Sequence, residues 1–255
     1  MTPILYAHRL SQPCRAVEIL LLELGAAYRW HEIDFAQGET RTRWFREQVA
    51  GQQTVPALAI PPGDDGHMSK GFVLAESHAI MRYLCRTSQA QDIAQRWYPD
   101  RQDPVGAART DQWMAWHHGH LRRYDMFHDI MNLHLTLPML KSEIQALRLR
   151  PLQTRLNESL SHLDSCLGQP ATASGATRYL NDSDHPSIAD LSMACELYQL
   201  VAVGYRFDRY PNVCEWLKRI SRRTHFAAVS QAIAEQGHTI GEDNASYLDL
   251  DNAFA

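Results

Sequence analysis

PILYAHRLSQPCRAVEILLLELGAAYRWHEIDF, residues 3–35, decides how the first part of this chain folds. Its opening, PILYA, is apolar and strand-sized. Val17, Leu20, Leu21 and Leu24 then recur at helical spacing, and Gly25 marks the stop. Pro13 suits the first turn of that helix, where its missing N–H would have no partner anyway. YRWHEIDF alternates as a half-buried strand does. Farther on, VPALAI (55–60) and FVLAE (72–76) flank PPGDDGHMSKG (61–71), a run of turn formers that reads as a hairpin. Helical patterns fall over 13–24, about 40–48 and 77–86. The order β-α-β-α-β-β-α predicts a small α/β domain with a mixed sheet over residues 1–86.

Beyond it the pattern changes. Residues 87–103, with WYPDRQDP, read as a linker. From 104 to 238 the chain is almost wholly helical in pattern, as in PVGAARTDQWMAWHHGHLRRYDMF, LRPLQTRLNESLSHLDSCLG and SIADLSMACELYQLVAVGY. A second, all-α domain is expected there. Residues 239–255 read as an acidic tail, mobile or loosely docked. The 255 residues are ample for two cores, and a formal charge of −4 gives no electrostatic case for nucleic acid. No stretch has the run of about 18 apolar residues that a membrane span needs, and MTPILYAHRL does not read as a signal peptide. Cys14, Cys85, Cys166, Cys195 and Cys214 are odd in number, scattered and without a CxxC pair. They favour a reducing compartment over a disulfide framework or a zinc site, so a cytoplasmic location is expected.

Three short stretches carry candidate chemistry. Ser11 and Cys14 stand at the mouth of the first helix, where either can cap or pack, or can work on a ligand. Val55–Pro56 opens a strand; it is an ordinary strand entry, or a cis bond that leaves the Val55 backbone free to pair with a peptide-like ligand. Glu76 and Ser77 lie where a strand gives way to a helix. Ser77 suits an N-cap, while a helix N-terminus beside an acidic residue also suits both charges of an α-amino acid end.

In their order and spacing, LSQPCRAV, VPAL, ESHAI…YL and WYP…AARTDQWMAW closely resemble the cytosolic glutathione transferases, the theta class in particular. The resemblance is strongest through residue 125 and resumes at HPSIADLSMACEL. It implies a thioredoxin-like first domain with a four-stranded mixed sheet, an all-helical second domain, a homodimer, and chemistry that joins the glutathione thiol to electrophiles. Glutathione is then a co-substrate, with no metal and no bound organic cofactor. Residue by residue, Ser11 takes the catalytic serine position. Glu76 and Ser77 take the γ-glutamyl end, assisted by Gln12, and Val55 with Pro56 the cysteinyl backbone. Asp111 takes the acidic position that reaches the partner subunit's glutathione. Thr40 and Thr54 stand where relatives often carry His and Lys, which leaves Arg41 and Gln53 as the neighbouring groups for the glycyl carboxylate.

A rival reading makes Cys14 the nucleophile of a glutathione-dependent thiol oxidoreductase. Another makes the chain a non-enzymatic binding or scaffold protein of the same fold, which would need none of Ser11, Glu76 and Ser77. Trp116, His120 and Tyr124 at i, i+4, i+8 suggest one wall of an electrophile site. His117, His118 and His120, with His128 and His134 downstream, read as a polar, aromatic helix face beside the substrate pocket rather than a metal centre. In HPSIADL, Ser187 and Asp190 form a capping-box-like pair with a structural role.

Overall fold

The structure is a computed structural model that describes residues 2–62, 71–100, 102–122, 149–169, 179–202 and 207–243. Four short strands, β1 (Ile4–Ala7), β2 (Arg29–Glu32), β3 (Ala57–Ile60) and β4 (Phe72–Ala75), form one sheet in the order β2-β1-β3-β4. β1 and β2 run parallel, and β3 is antiparallel to both β1 and β4, so the sheet is mixed as expected.

Helix α1 (Gln12–Glu23) crosses between β1 and β2, with Pro13 in its first turn. It ends as the sequence indicates. Gly25 takes φ 61°, its N–H donates to Leu22 O (3.1 Å), and the N–H of Ala26 donates to Leu21 O (2.9 Å). This double closure satisfies two terminal carbonyls and needs a left-handed residue, which glycine adopts without a Cβ clash. Residues 13–21 of α1 are all buried, because sheet and helical domain cover it from both sides. The other face of the sheet is closed by the single-turn 3-10 helix Glu39–Arg41 and by α2 (Arg43–Gln48), over Ile33, Phe45, Val49, Ala50 and Ala57.

Helix α3 (Ser77–Thr87) follows β4, and α4 (Gln91–Trp97) lies inside the stretch read as a linker. That segment is polar, but Ala94 and Trp97, one turn apart, are buried and seat it on the core. The helical part contains α5 (Pro104–Gly119), α6 (Leu149–Leu167), α7 (Ile188–Ala202), α8 (Pro211–Ser221), α9 (Thr224–Val229) and α10 (Gln231–Asp243). Helix α7 is central and buried along most of its length, and α1, α3, α5, α8 and α10 all pack on it. Gly237 lets α10 approach α7 closely, since a Cβ there would meet the backbone of Ala202. α10 also runs five residues into the stretch read as tail; residues 244–255 lie outside the described residues.

Ser187 directly precedes α7 and Asp190 sits in its first turn. Asp190 Oδ2 accepts from the backbone N–H (2.8 Å) and hydroxyl (2.7 Å) of Ser187, which is the return half of a capping box. Its other oxygen does more than a cap requires. Oδ1 accepts from Leu180 N–H (3.0 Å) and from the Trp216 indole N–H (2.9 Å), so one fully buried carboxylate joins a loop, α7 and α8.

Candidate active site

The sheet register brings the three chemical stretches together. Tyr6 pairs with Ala57, and Ala57 with Ala75, so the end of β1, the start of β3 and the end of β4 form one row. Ser11 follows the first, Val55–Pro56 precedes the second, and Glu76–Ser77 follows the third. β2 is parallel to β1, so the segment after it, with Thr40 and Arg41, leaves from the same end.

Ser11 is the N-cap of α1, with extended φ/ψ of −78° and 121°, and its side chain makes no capping bond. Its N–H donates to His8 O (3.0 Å) and its carbonyl accepts from Arg15 N–H (3.0 Å), which leaves the hydroxyl at the positive end of a twelve-residue helix. Cys14 lies inside. It is fully buried, and burial pushes its thiol up to about 11 despite hydrogen bonds from the Ser11 side chain and the His8 backbone. A thiol so placed is a poor nucleophile near neutral pH.

The Val55–Pro56 bond is cis, as the sharper reading of VPAL expects. Pro56 is buried, Val55 half-buried and Thr54 exposed, and Gln53 before them takes φ 58°. Thr40 is buried within its helical turn, whereas Arg41 is exposed.

At the β4–α3 junction the structure corrects one expectation: Glu76, not Ser77, is the N-cap. Glu76 adopts φ 69° and ψ 109°, and Ser77 becomes the buried first residue of the helix. A non-glycine residue in that region typically carries about 1–3 kcal/mol of strain, a feature that clusters at ligand sites. The Glu76 side chain is exposed and does not cap, so no capping side chain covers the first-turn amide groups of α3.

Asp111 on α5 accepts from Arg82 Nε (2.7 Å) and from the Tyr98 hydroxyl (3.2 Å), and its side chain is 45% exposed. Arg82 in turn donates to the carbonyl of His78 (3.2 Å), one residue past Ser77. Trp116 and His120 stack at 4.9 Å and join Trp113 and His162 in an aromatic cluster between α5 and α6. α5 ends at Gly119, so the helical spacing does not continue to Tyr124, which lies outside the described residues with His128 and His134. His118 of α5 also faces the sheet domain. Its ring is 4.2 Å from that of His78, and it lies within electrostatic reach of Glu76. In the sequence nothing distinguishes His118 from the other histidines of this polar run.

The family model for the glutathione S-transferase N-terminal domain matches residues 5–91, and that for the C-terminal domain matches residues 107–219. This chain belongs to the glutathione S-transferase family. It is 31% identical to mouse glutathione S-transferase theta-3 over 238 residues, covering 92% of this chain and 87% of the relative. Against human glutathione S-transferase theta-1 it is also 31% identical, over 242 residues with the same coverage. The structure of human glutathione-S-transferase T1-1 in its apo form superposes with a TM-score of 0.74 at 26% identity, covering 99% of this chain and all of that one. The theta-like, two-domain transferase fold is therefore established.

Beneath the transferase's sheet edge lies a buried polar seam between the two halves. Gln12 is committed here: its amide donates to Glu196 (2.7 Å) and accepts from Gln199 (3.1 Å). Burial alone would raise the Glu196 carboxyl, but Arg122 at 3.3 Å, His117 at 3.5 Å and Gln12 outweigh it and hold the carboxyl below its usual range. His78 lies 2.8 Å from Ser192 Oγ and 3.4 Å from His117. Among the described residues no cluster of ligand-type side chains has a geometry that would hold a metal ion.

Burial holds the His78 imidazole far below its ordinary 6.5, and His117, His118, Arg82 and Arg122 around it act in the same direction. The unfolded chain then takes up a proton that the folded chain refuses, so stability falls as pH drops below that value. One such ring accounts for about 1 kcal/mol of loss between about pH 6.5 and 5.5. Denaturant midpoints at the two pH values are expected to fall farther apart in the wild type than in His78→Gln; equal separations would show that the native ring binds a proton.

Proposed function

We propose that this family member is a theta-like transferase that joins the glutathione thiolate to electrophilic small molecules, with Ser11 donating a hydrogen bond to the sulfur. The observation that carries this reading is the convergence at one sheet edge of the Ser11 hydroxyl, which caps nothing, the Val55–Pro56 turn and the strained Glu76–Ser77 junction. A scaffold has no use for that combination. Glu76 and the first turn of α3 take the ammonium and carboxylate of the γ-glutamyl end, and the Val55 backbone pairs with the cysteinyl unit. Gln12, tied into the seam, acts from below rather than on the ligand. His118 stands beside the glutamyl site, and Trp116 with His120 supplies an aromatic wall for the electrophile. In a homodimer, half-buried Asp111, held by Arg82 and Tyr98, serves the partner subunit's glutathione. Residues 1–86 bind glutathione and 104–238 the electrophile, and the protein works in the cytoplasm. Among the described residues, no helix is long and apolar enough to cross a membrane.

Retention on immobilised glutathione, with elution by free glutathione, tests the binding half of this reading; a chain that passes straight through refutes it. The oxidoreductase rival rests on Cys14, whose thiol is buried and held up to about 11. Cys14→Ser is expected to leave the conjugation rate within about twofold. A glutathione adduct on Cys14, seen by mass spectrometry of the native protein, would reverse that ranking.

Thr54, exposed beside Val55, offers the glycyl carboxylate only neutral groups. A neutral hydrogen bond nets about 0.5–1.5 kcal/mol, against about 1.5–3 with a charged partner. Glutathione is thus expected to bind in roughly the millimolar range. Thr54→Lys should tighten it several-fold, and more at low ionic strength. Calorimetric titration at two salt concentrations checks this; micromolar wild-type affinity would mean that another group holds the carboxylate.

A further inference from the structure

We propose that Gln199, on the central helix of the second half, is a positioning residue that holds Ser11 in place across the seam; the inference rests on the Ser11 assignment above. The Ser11 side chain makes no capping bond and reaches Cys14 in the same first turn of α1, so its hydroxyl is aimed by the backbone that carries both. Gln199 holds both residues that flank Ser11, one by its backbone and the other by its side chain. Its amide nitrogen donates to the carbonyl of Leu10 (2.8 Å) and to Oε1 of Gln12 (3.1 Å), the residues immediately before and after Ser11.

The direction of each bond in this chain is forced. Leu10 O can only accept, so Gln199 must turn its nitrogen toward it. The Glu196 carboxylate also only accepts, so Gln12 must donate to it with Nε2, which leaves Gln12 Oε1 for Gln199. Arg15 closes the other side, donating to Leu10 O (3.1 Å) and to the carbonyl of Cys195 (2.8 Å). Ile233 of α10 packs on Leu10 as well.

Arg15, Glu196 and Gln199 are each at most 1% exposed, so their side of these bonds is shielded from water, although Leu10 and Gln12 are only half-buried. Gln199 Oε1 is itself buried and finds no partner among the described residues. An apolar side chain would avoid that penalty. A native chain that keeps a half-satisfied amide here is using its two donations.

The test is a double-mutant cycle on the full-length protein, with the ultraviolet absorbance of bound glutathione thiolate followed against pH, and kcat and KM for conjugation. Gln199→Met keeps the volume and removes the donor. It is expected to raise the bound thiol's pKa by about half to one unit and lower kcat about three- to tenfold, with KM for glutathione within about twofold. In a Ser11→Ala background the same substitution should add no further shift, because it acts through Ser11. Should Gln199→Met fail to fold, Gln199→Asn, whose amide is too short to reach both acceptors, is expected to show the same pattern at smaller amplitude. An unmoved thiol pKa in a folded Gln199 variant overturns the proposal, and so does an equal shift with and without Ser11. If Ser11→Ala alone leaves the thiol unmoved, the Ser11 assignment itself is wrong and takes this inference with it.

Discussion

Ser11→Ala is expected to lower the rate of glutathione conjugation about tenfold or more, with glutathione affinity little changed. The free thiol titrates near 8.5, so only a few per cent is thiolate at about pH 7. Bringing that pKa down by about two units takes roughly 2.7 kcal/mol of preference for the anion. One charge-assisted hydrogen bond is worth roughly 1.5–3 kcal/mol, which is the scale needed, and the positive end of α1 adds to it. No general base is required. Removing an N-cap hydroxyl often costs about 0.5–2 kcal/mol of stability, but the Ser11 side chain caps nothing, so the variant should fold as the wild type does. The rate loss is then chemical. Stopped-flow or steady-state rates between about pH 6 and 8 give the decision, since the deficit should shrink as pH rises toward the free thiol's own pKa. Superimposable profiles for wild type and variant across that range would remove Ser11 from the mechanism.

What the sequence discloses and what it hides divide along physical lines. The strands show in short apolar runs, and α1 with its Pro13 entry and Gly25 exit and the Ser187–Asp190 start of α7 show in signals a few residues long, because those helix ends are closed in part by their own neighbours. The mixed sheet follows from the order of those elements. The N-cap at Glu76 is different: its backbone is set by how β4 must turn into α3, and an acidic residue at φ 69° has no local signature. Gln12 suggests a ligand from its place beside Ser11, yet its partners lie on α7, more than 180 residues away. The same distance hides the burial of Arg15, an arginine on a helix whose apolar face ends beside it. α4 escapes notice because its two anchoring residues, Ala94 and Trp97, sit among polar ones. His118 differs from its neighbours only by rotation about the helix axis, which puts His117 into the seam beside Glu196 and His118 against His78, within electrostatic reach of Glu76.

The largest stability effect is expected at Asp190. Read from HPSIADL alone, Asp190→Ala removes half a capping box, worth about 0.5–2 kcal/mol. In the folded chain it strips four donors at once: the N–H groups of Leu180 and Ser187, the Ser187 hydroxyl and the Trp216 indole. All surround a side chain with no exposure, so water does not readily take its place. Each buried group left unpaired costs about 1–3 kcal/mol, and with partial relaxation the total should reach about 3–5 kcal/mol. For a chain of this size that lowers Tm by roughly 10 °C or more. Asp190→Asn should recover only part of the loss, since one amide oxygen can serve two of the donors while its NH2 group faces the others. Thermal and denaturant unfolding measure the stability, and conjugation per folded molecule measures the chemistry. A loss below about 1 kcal/mol would mean that other acceptors replace the carboxylate. α7 also carries Glu196 and Gln199, which hold the residues flanking Ser11. At temperatures where the variant is still folded, that hold persists, and the bound thiol should ionise as in the wild type. Lost activity per folded molecule at unchanged Tm would instead place Asp190 in the reaction itself.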